Sequence, residues 1–203
     1  MVLYSILKSI KLKWINMATL NHEEQLQKIF LNVNEWLKFA EAKNFGLLTL
    51  NSAIVFGFSQ TNFDPDSIVK FVGFYVFAPF AFLSSFLSII SLFPILTTIE
   101  KGVILKGILA KISAMIDKET LFENIHFYGY LRTLEKNEFI SKFQSKTNSS
   151  ETFTIFEEEL VVQIIYNSRI TWLKYQFFKI AGFIALVGII LSPFALLILK
   201  LIK

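Results

Sequence analysis

The sequence predicts a mainly α-helical integral membrane protein with three transmembrane helices, and three runs without a charged side chain carry this prediction. The runs are Asn44–Phe63, Phe71–Ile99 and Ala181–Leu199. A bilayer core about 30 Å thick is crossed by roughly 20 apolar helical residues, because a helix satisfies its own backbone hydrogen bonds in lipid. We therefore expect spans at about residues 44–63, 72–96 and 180–199, the second kinked or ended by Pro79 and Pro94.

The overall composition agrees with a membrane protein. Hydrophobic residues make up 54% of the 203 residues, and the mean hydropathy is +0.54. The charged share is 18%, below the roughly 25% of an ordinary soluble domain. The net charge is +4, and the lysines cluster beside the spans. We interpret them as topology signals with weak attraction to anionic lipid, and we expect no nucleic-acid partner.

Motifs for catalysis or metal binding are missing from the sequence. There is no cysteine, and His22 and His126 have no metal-ligand spacing with each other or with a carboxylate pair. The GxSxG, GxxxxGK(S/T) and GxGxxG signatures of hydrolases and nucleotide-binding enzymes do not occur. We therefore expect a protein that is not an enzyme and that uses no metal or cofactor.

Residues 1–20 predict an amphipathic segment at the membrane surface. Lys8, Lys11 and Lys13 interrupt the apolar core that a signal peptide would need. Four other residues share one apolar helical face: Leu3, Ile6, Ile10 and Trp14. We expect this face to lie at the lipid headgroups, and residues 21–203 to form a single membrane domain.

A long helix is expected from Asn21, which is a good N-cap ahead of two glutamates in the first turn. One face of this helix has residues at heptad spacing: Leu26, Ile29, Val33, Trp36 and Ala40. No proline or glycine follows before Asn44, so the helix should continue into the first span. The polar residues Asn44, Asn51 and Ser52 then form interhelical hydrogen bonds, or alternatively line a pore.

The charges between the spans predict the orientation. The loop after the first span carries Asp64 and Asp66, whereas lysines are dense before that span and after the second one. Positive residues stay on the cytoplasmic side, so we place the N-terminus and residues 100–176 in the cytoplasm. Lys200 and Lys203 then lie on the far side, an exception that a short tail tolerates.

Residues 21–43 and 100–176 are predicted to form a helical cytoplasmic stalk. Its expected elements are a helix over Glu100–Lys118, a short strand or irregular turn over Glu123–Leu131, a helix over Leu134–Phe143 capped by Thr133, and a loop over Ser145–Thr152.

A second long helix is expected from Phe153, and it should continue into the third span. One face of this helix carries a stripe of residues spaced four and three apart: Val161, Ile165, Ser168, Trp172 and Tyr175. We expect this stripe to pack against the heptad-spaced stripe of the first long helix. The predicted stalk contacts are Trp36, Glu41 and Trp172.

Two sets of side chains in residues 100–176 could bind an anionic ligand. His126, Tyr130 and Arg132 combine aromatic rings, which can stack on a base, with a guanidinium, which can hold a phosphate. The alternative is a half-buried aromatic strand with a surface arginine. Arg169 is the second candidate, and its alternative role is an ion pair with Glu35 or Glu41.

Three stretches of the chain carry a family resemblance. They are WLKFAEAKN (36–44) before the first span, ENIHFYGYL (123–131) with the following EKNEFISKF, and IIYNSRITWLKYQFFKI (164–180) before the third span. In this order, from about residue 30 to residue 195, they resemble the Pycsar effector family of small bacterial transmembrane proteins, which are encoded beside nucleotide cyclases.

The resemblance implies an antiphage effector of the bacterial inner membrane. Infection would trigger a cognate cyclase, and cyclic CMP or cyclic UMP would activate the effector, which impairs the membrane and stops host growth. We assign the ligand to His126, Tyr130, Arg132 and Arg169. Three spans per subunit enclose an aqueous path poorly, so we expect a homo-oligomer in the lipid bilayer. The alternative is a non-enzymatic membrane scaffold that docks a cytoplasmic protein.

Overall fold

A computed structural model describes residues 22–60, 68–93, 123–148 and 152–202. The predicted amphipathic segment 1–20, the cap Asn21, the acidic loop after the first span and the helix over 100–118 lie outside these ranges. The described elements are α1 (His22–Gln60), α2 (Ile68–Val72), a π-helical turn (Gly73–Phe77), α3 (Ala78–Leu92), α4 (Tyr128–Leu131), α5 (Lys136–Thr147) and α6 (Ile155–Ile202).

The two long helices run without a break, as the sequence predicts. Helix α1 continues from the predicted stalk through Asn44 to Gln60, and α6 continues from Ile155 into the third apolar run. The chain divides into two compact units, with boundaries at Glu35/Trp36 in α1 and Arg169/Ile170 in α6. Each long helix therefore contributes residues to both units.

The first unit has an apolar core that α1, α5 and α6 share. Leu26 and Val33 of α1 are fully buried, and so are Val161 of α6 and Phe139 and Phe143 of α5. The parts of the two predicted stripes that lie in this unit therefore pack in a common core: Leu26, Ile29 and Val33 of α1, and Val161 and Ile165 of α6. Burial of such side chains contributes about 1.5–3 kcal/mol each, and it holds the three helices together.

Helix α5 begins and ends later than the sequence predicts. Its N-cap is Glu135 instead of Thr133, because Glu135 and Glu138 form a capping box in which each side chain accepts a backbone N–H. The Thr133 hydroxyl instead donates to the Tyr130 carbonyl oxygen at 2.7 Å. The helix also extends through Thr147 to a left-handed Asn148 with φ of 50°, so the predicted loop begins later than expected.

The strand alternative for Glu123–Leu131 is wrong. Residues 123–127 form a turn, and Tyr128–Leu131 forms one turn of α-helix. No strand occurs in the described ranges. The aromatic composition favours a strand in isolation, but here Tyr130 and Leu131 are buried against the first unit's core, and packing overrides the local preference.

The second unit exposes large apolar side chains and buries several polar side chains among apolar ones. Its surface exposes large apolar side chains: Phe45 and Phe56 on α1, Phe82 and Phe86 on α3, Phe183 and Phe194 on α6. Its interior holds buried Asn, Ser and Lys side chains. Water would oppose this arrangement, whereas lipid favours it, since polar groups then find partners only between helices.

Two described helical segments are long and apolar enough to cross a membrane. They are Gly73–Leu92, with 20 residues and Pro79 near the start of α3, and the 48-residue α6. These segments agree with membrane association. The first of the three predicted spans, in α1, is not among them and stays a prediction, as does the cytoplasmic position of the stalk.

Candidate functional site

The second unit contains a line of buried polar residues between α1, α3 and α6, which we call the polar seam. Its members are Asn44, Asn51, Ser84, Ser88, Ser91 and Lys174, each no more than 5% exposed. The serines lie four and three residues apart and the asparagines seven apart, so each set occupies one face of its helix. Small serine side chains also let neighbouring helices approach closely.

Hydrogen bonds from the two asparagines join α1 to its neighbours. The Asn51 amide donates to the Ser84 hydroxyl at 2.8 Å, and the Asn44 amide donates to the Lys174 carbonyl oxygen at 3.1 Å. The side-chain carbonyl oxygens of both asparagines are buried and accept no hydrogen bond from any described residue. The Ser88 and Ser91 hydroxyls are likewise without a partner in the described part of the chain.

Lys174 is a buried cation that connects all three helices. Its ammonium donates to the Ser91 carbonyl oxygen at 2.9 Å and lies 3.0 Å from the Glu41 carboxylate. Ser91 is in the last turn of α3, where carbonyl groups lack intrahelical donors and the helix dipole is negative. The lysine side chain is 6% exposed and that of Glu41 is 46% exposed, so Glu41 stays partly hydrated.

Two glycines mark close approaches of the helices around the seam. A Cβ at Gly188 of α6 would lie 2.7 Å from the Phe80 Cβ of α3, and one at Gly73 would lie 2.8 Å from the Phe58 ring. The Phe58 ring also packs on Phe77, with centroids 5.8 Å apart. A larger residue at Gly188 would force α3 and α6 apart, whereas one at Gly73 would first displace the Phe58 ring.

The structure places the other predicted membrane and stalk residues in different surroundings. Ser52 lies on the exposed side of α1, where its hydroxyl donates to the Leu48 carbonyl oxygen at 2.8 Å. The Trp36 indole is 37% exposed, with its ring centroid 6.4 Å from that of Tyr175. Glu41 pairs with Lys174, and Trp172 is half-buried.

The predicted ligand residues all belong to the first unit. His126 is exposed on the turn before α4, and Asn32 of α1 donates to its carbonyl oxygen at 2.7 Å. Tyr130 is 6% exposed, and its buried hydroxyl has no hydrogen-bond partner among the described residues. Arg132 is half-buried at the end of α4. The structure thus brings these residues into one unit but leaves the Tyr130 ring inside the core.

Arg169 holds the loop between α4 and α5. Its guanidinium donates to the carbonyl oxygens of Arg132 at 3.2 Å and Leu134 at 3.3 Å, and to the Glu135 carboxylate at 2.8 Å. The ion-pair alternative therefore has a different partner from the predicted Glu35 or Glu41. All three acceptors are groups that an anionic ligand could replace at this fork of donors.

Lys142 and Glu123 form a charged pair beside Tyr130. The ammonium lies 2.9 Å from the Glu123 carboxylate and 5.5 Å from the centre of the Tyr130 ring. The hydrogen bond and charge of Lys142 lower the pKa of Glu123 below its ordinary value. The nearby Tyr130 phenol and then Glu123 raise the pKa of Lys142, so both groups stay charged at neutral pH.

An open groove of about 330 Å³ lies on the same unit, at the start of α6. Its lining consists of Lys136, Ile155, Glu158, Glu159, Val162 and Gln163. Lys136 and Glu158 form an ion pair of 2.7 Å across it. No group of three potential metal ligands occurs within the described ranges.

Sequence reasoning missed the serines of α3 and the role of Lys174. The serine spacing of four and three inside a charge-free run was a usable signal for one polar face. Lys174 lies between two residues of the α6 stripe, Trp172 and Tyr175, so its place beside a packed face could be recognised from the sequence. The sequence nevertheless gave no indication that these residues meet.

Comparison with known families agrees with the resemblance of the three motif stretches. The family model of the Pycsar effector protein domain matches residues 25–201. No curated protein and no solved structure matches the chain. Because the match covers both units and nearly the whole length, the chain belongs to the Pycsar effector family.

Proposed function

We propose that this chain impairs the bacterial inner membrane after it binds a cyclic mononucleotide, cyclic CMP or cyclic UMP. Family membership implies an antiphage effector that is functionally linked to a cognate cyclase. The proposal adds the ligand, the membrane damage and a homo-oligomer as the active form. It also adds the orientation, with the N-terminus and residues 100–176 in the cytoplasm.

The buried polar seam is the observation that carries the membrane part of the proposal. Asn51 and Ser88 are completely or almost completely buried in a unit whose surface is phenylalanine-rich. Each buried oxygen without a donor costs about 1–3 kcal/mol. A rearrangement that hydrates these oxygens is therefore favourable for the seam, and subunits that assemble around water could supply such a path.

The Arg169 fork supports a ligand site in the first unit. Its strongest contact is the exposed pair with Glu135, whose side chain is 77% exposed. Exposed ion pairs contribute about 0–1 kcal/mol, so a phosphodiester can compete for this guanidinium. His126 and Arg132 would contact the same ligand, whereas Tyr130 would reach it only after its buried ring leaves the core. Loss of the Arg169 contacts would free the loop that follows α4.

The cellular test combines this protein with a pyrimidine cyclase in growing bacteria. We expect growth arrest, loss of membrane potential and entry of a membrane-impermeant dye only when both proteins are present. Cells with the effector alone, or with the effector and an inactive cyclase, are the controls. Intact membrane potential with both active proteins present would contradict the proposal, and a stable complex with another protein without toxicity would favour the scaffold.

The ligand site is tested on the purified protein by calorimetry with cyclic CMP and cyclic UMP, with cyclic AMP as the control nucleotide. Arg169→Gln and Arg132→Gln should each weaken binding about 10- to 100-fold, since each removes a charge-assisted contact. Lys28→Gln is the matched control, because Lys28 is an exposed cation of α1 in the same unit and is not one of the proposed ligand residues. Equal affinity of all variants would place the site elsewhere.

A further inference from the structure

The polar seam is rich in buried oxygen atoms and contains one cation. Four side-chain oxygens, on Asn44, Asn51, Ser88 and Ser91, lack a hydrogen-bond donor among the residues that the structure describes. The Ser91 carbonyl and the Glu41 carboxylate accept from the Lys174 ammonium. Amide, hydroxyl, carbonyl and carboxylate oxygens are hard ligands that suit cations such as K⁺ and Na⁺.

The Lys174 ammonium lies between oxygen atoms of α3 and α1. It is a compact point charge with three donors, and its two contacts at 2.9 and 3.0 Å join oxygens of α3 and α1. The ammonium also neutralises the Glu41 carboxylate. The oxygen lining continues along α3 from Ser91 to Ser84, about 10 Å at the helical rise per residue.

We propose that the polar seam is a binding path for monovalent cations, and that the Lys174 ammonium blocks it as a tethered cation in the resting state. This proposal rests on the proposed function and names the ions that the membrane damage releases. Activation moves Lys174 away from Ser91 and Glu41, so that the seam oxygens then bind K⁺ or Na⁺ instead. The Glu41 carboxylate loses its partner when Lys174 moves, and this negative charge favours cations over anions at that end of the path.

The test uses the full-length protein in vesicles of phosphatidylethanolamine and phosphatidylglycerol, with K⁺ flux and Cl⁻ flux measured separately. Lys174→Met keeps the length of the side chain and removes the charge, and Glu41 remains partly hydrated. Without any nucleotide, this variant should raise K⁺ flux about tenfold or more, the effect of one lost charge-assisted hydrogen bond in the closed state. Lys174→Arg keeps a cation and should stay closed.

A second pair of variants keeps the wild-type lysine and so does not depend on how Lys174→Met folds. Ser88→Ala with Ser91→Ala should reduce the K⁺ flux that cyclic CMP or cyclic UMP evokes, because it removes two lining oxygens. Ser85→Ala is the matched control, since Ser85 lies off the buried serine face of α3.

The outcomes separate this inference from the proposed function. Ligand-evoked flux that carries K⁺ and Cl⁻ equally, or that is unchanged by both the Lys174 and the serine variants, overturns the cation path and leaves membrane impairment standing. Wild-type protein that passes no ion with either nucleotide contradicts the proposed function itself. A K⁺-selective leak in Lys174→Met that is absent in Lys174→Arg supports the tethered cation.

Discussion

Replacement of Gly188 by alanine should separate helices α3 and α6. The new Cβ would lie 2.7 Å from the Phe80 Cβ, closer than the 3.0 Å below which Cβ contacts essentially never occur. Neither atom can move by a side-chain rotation, because both are bonded directly to a backbone. The helices must therefore move apart by about 1 Å to reach an ordinary contact of about 3.5–4.0 Å.

The expected cost follows from two opposing contributions. Overpacking of this kind lowers the free energy of unfolding by about 1–3 kcal/mol, whereas the better helix propensity of alanine raises it by about 1 kcal/mol. Gly182→Ala is the matched control in the same helix, because a Cβ there meets no atom within 4 Å. The control gains the propensity without the clash, so the two variants should differ by the overpacking cost alone.

The assay is thermal unfolding of both variants in the same detergent. At about 2–4 °C per kcal/mol for a chain of this size, Gly188→Ala should melt roughly 2–12 °C below Gly182→Ala. The Gly188 variant should also change the K⁺ flux that a nucleotide evokes in the vesicle assay, because the seam serines lie on the displaced helix. Equal melting temperatures for the two variants would refute the close approach of α3 and α6.

Three further predictions concern the first unit. Phe139→Ala should lower the free energy of unfolding by about 3–5 kcal/mol in denaturant titration, because Phe139 is fully buried, and a loss below 1 kcal/mol would contradict that burial. Glu135→Ala should cost about 1 kcal/mol by the same measurement, through the lost cap of α5 and the exposed pair with Arg169, and no loss would argue against the capping box. Lys142 lowers the pKa of Glu123, so this pair should stabilise the fold above the ordinary pKa of 4.5 and lose that contribution as the pH falls through the pKa of the folded state. Glu123→Gln should abolish this part of the acid dependence of the unfolding free energy. Identical profiles of unfolding free energy against pH for the two proteins would contradict the prediction.

Local periodicity explains why the long helices were predictable. Leu26 and Val33 repeat at heptad spacing on α1, and Val161 and Ile165 repeat at four residues on α6. Helical periodicity depends only on neighbours within two turns, and both pairs are buried in the structure. The motif stretches likewise pointed to the family whose domain matches residues 25–201.

Some errors came from signals that were present but were weighed incorrectly. Thr133 is the better N-cap by residue type, but Glu135 has a glutamate three residues later and can form a capping box. The aromatic run around Tyr130 favoured a strand, yet no neighbouring strand exists in the described ranges to pair with it. In both cases contacts with neighbouring residues outweighed the intrinsic conformational preference of the residues themselves.

The sequence by itself determined the helices, the apolar runs, the family and the absence of cysteine chemistry, because each is encoded in composition or in short-range spacing. Only the tertiary structure decided which polar groups meet. The spacing of Ser84, Ser88 and Ser91 predicts one polar face of α3, but spacing alone does not tell which helices that face meets. Lys174 and Ser91 are 83 residues apart, and Asn44 and Lys174 are 130 residues apart. Only the packing of helices brings their atoms within hydrogen-bond distance.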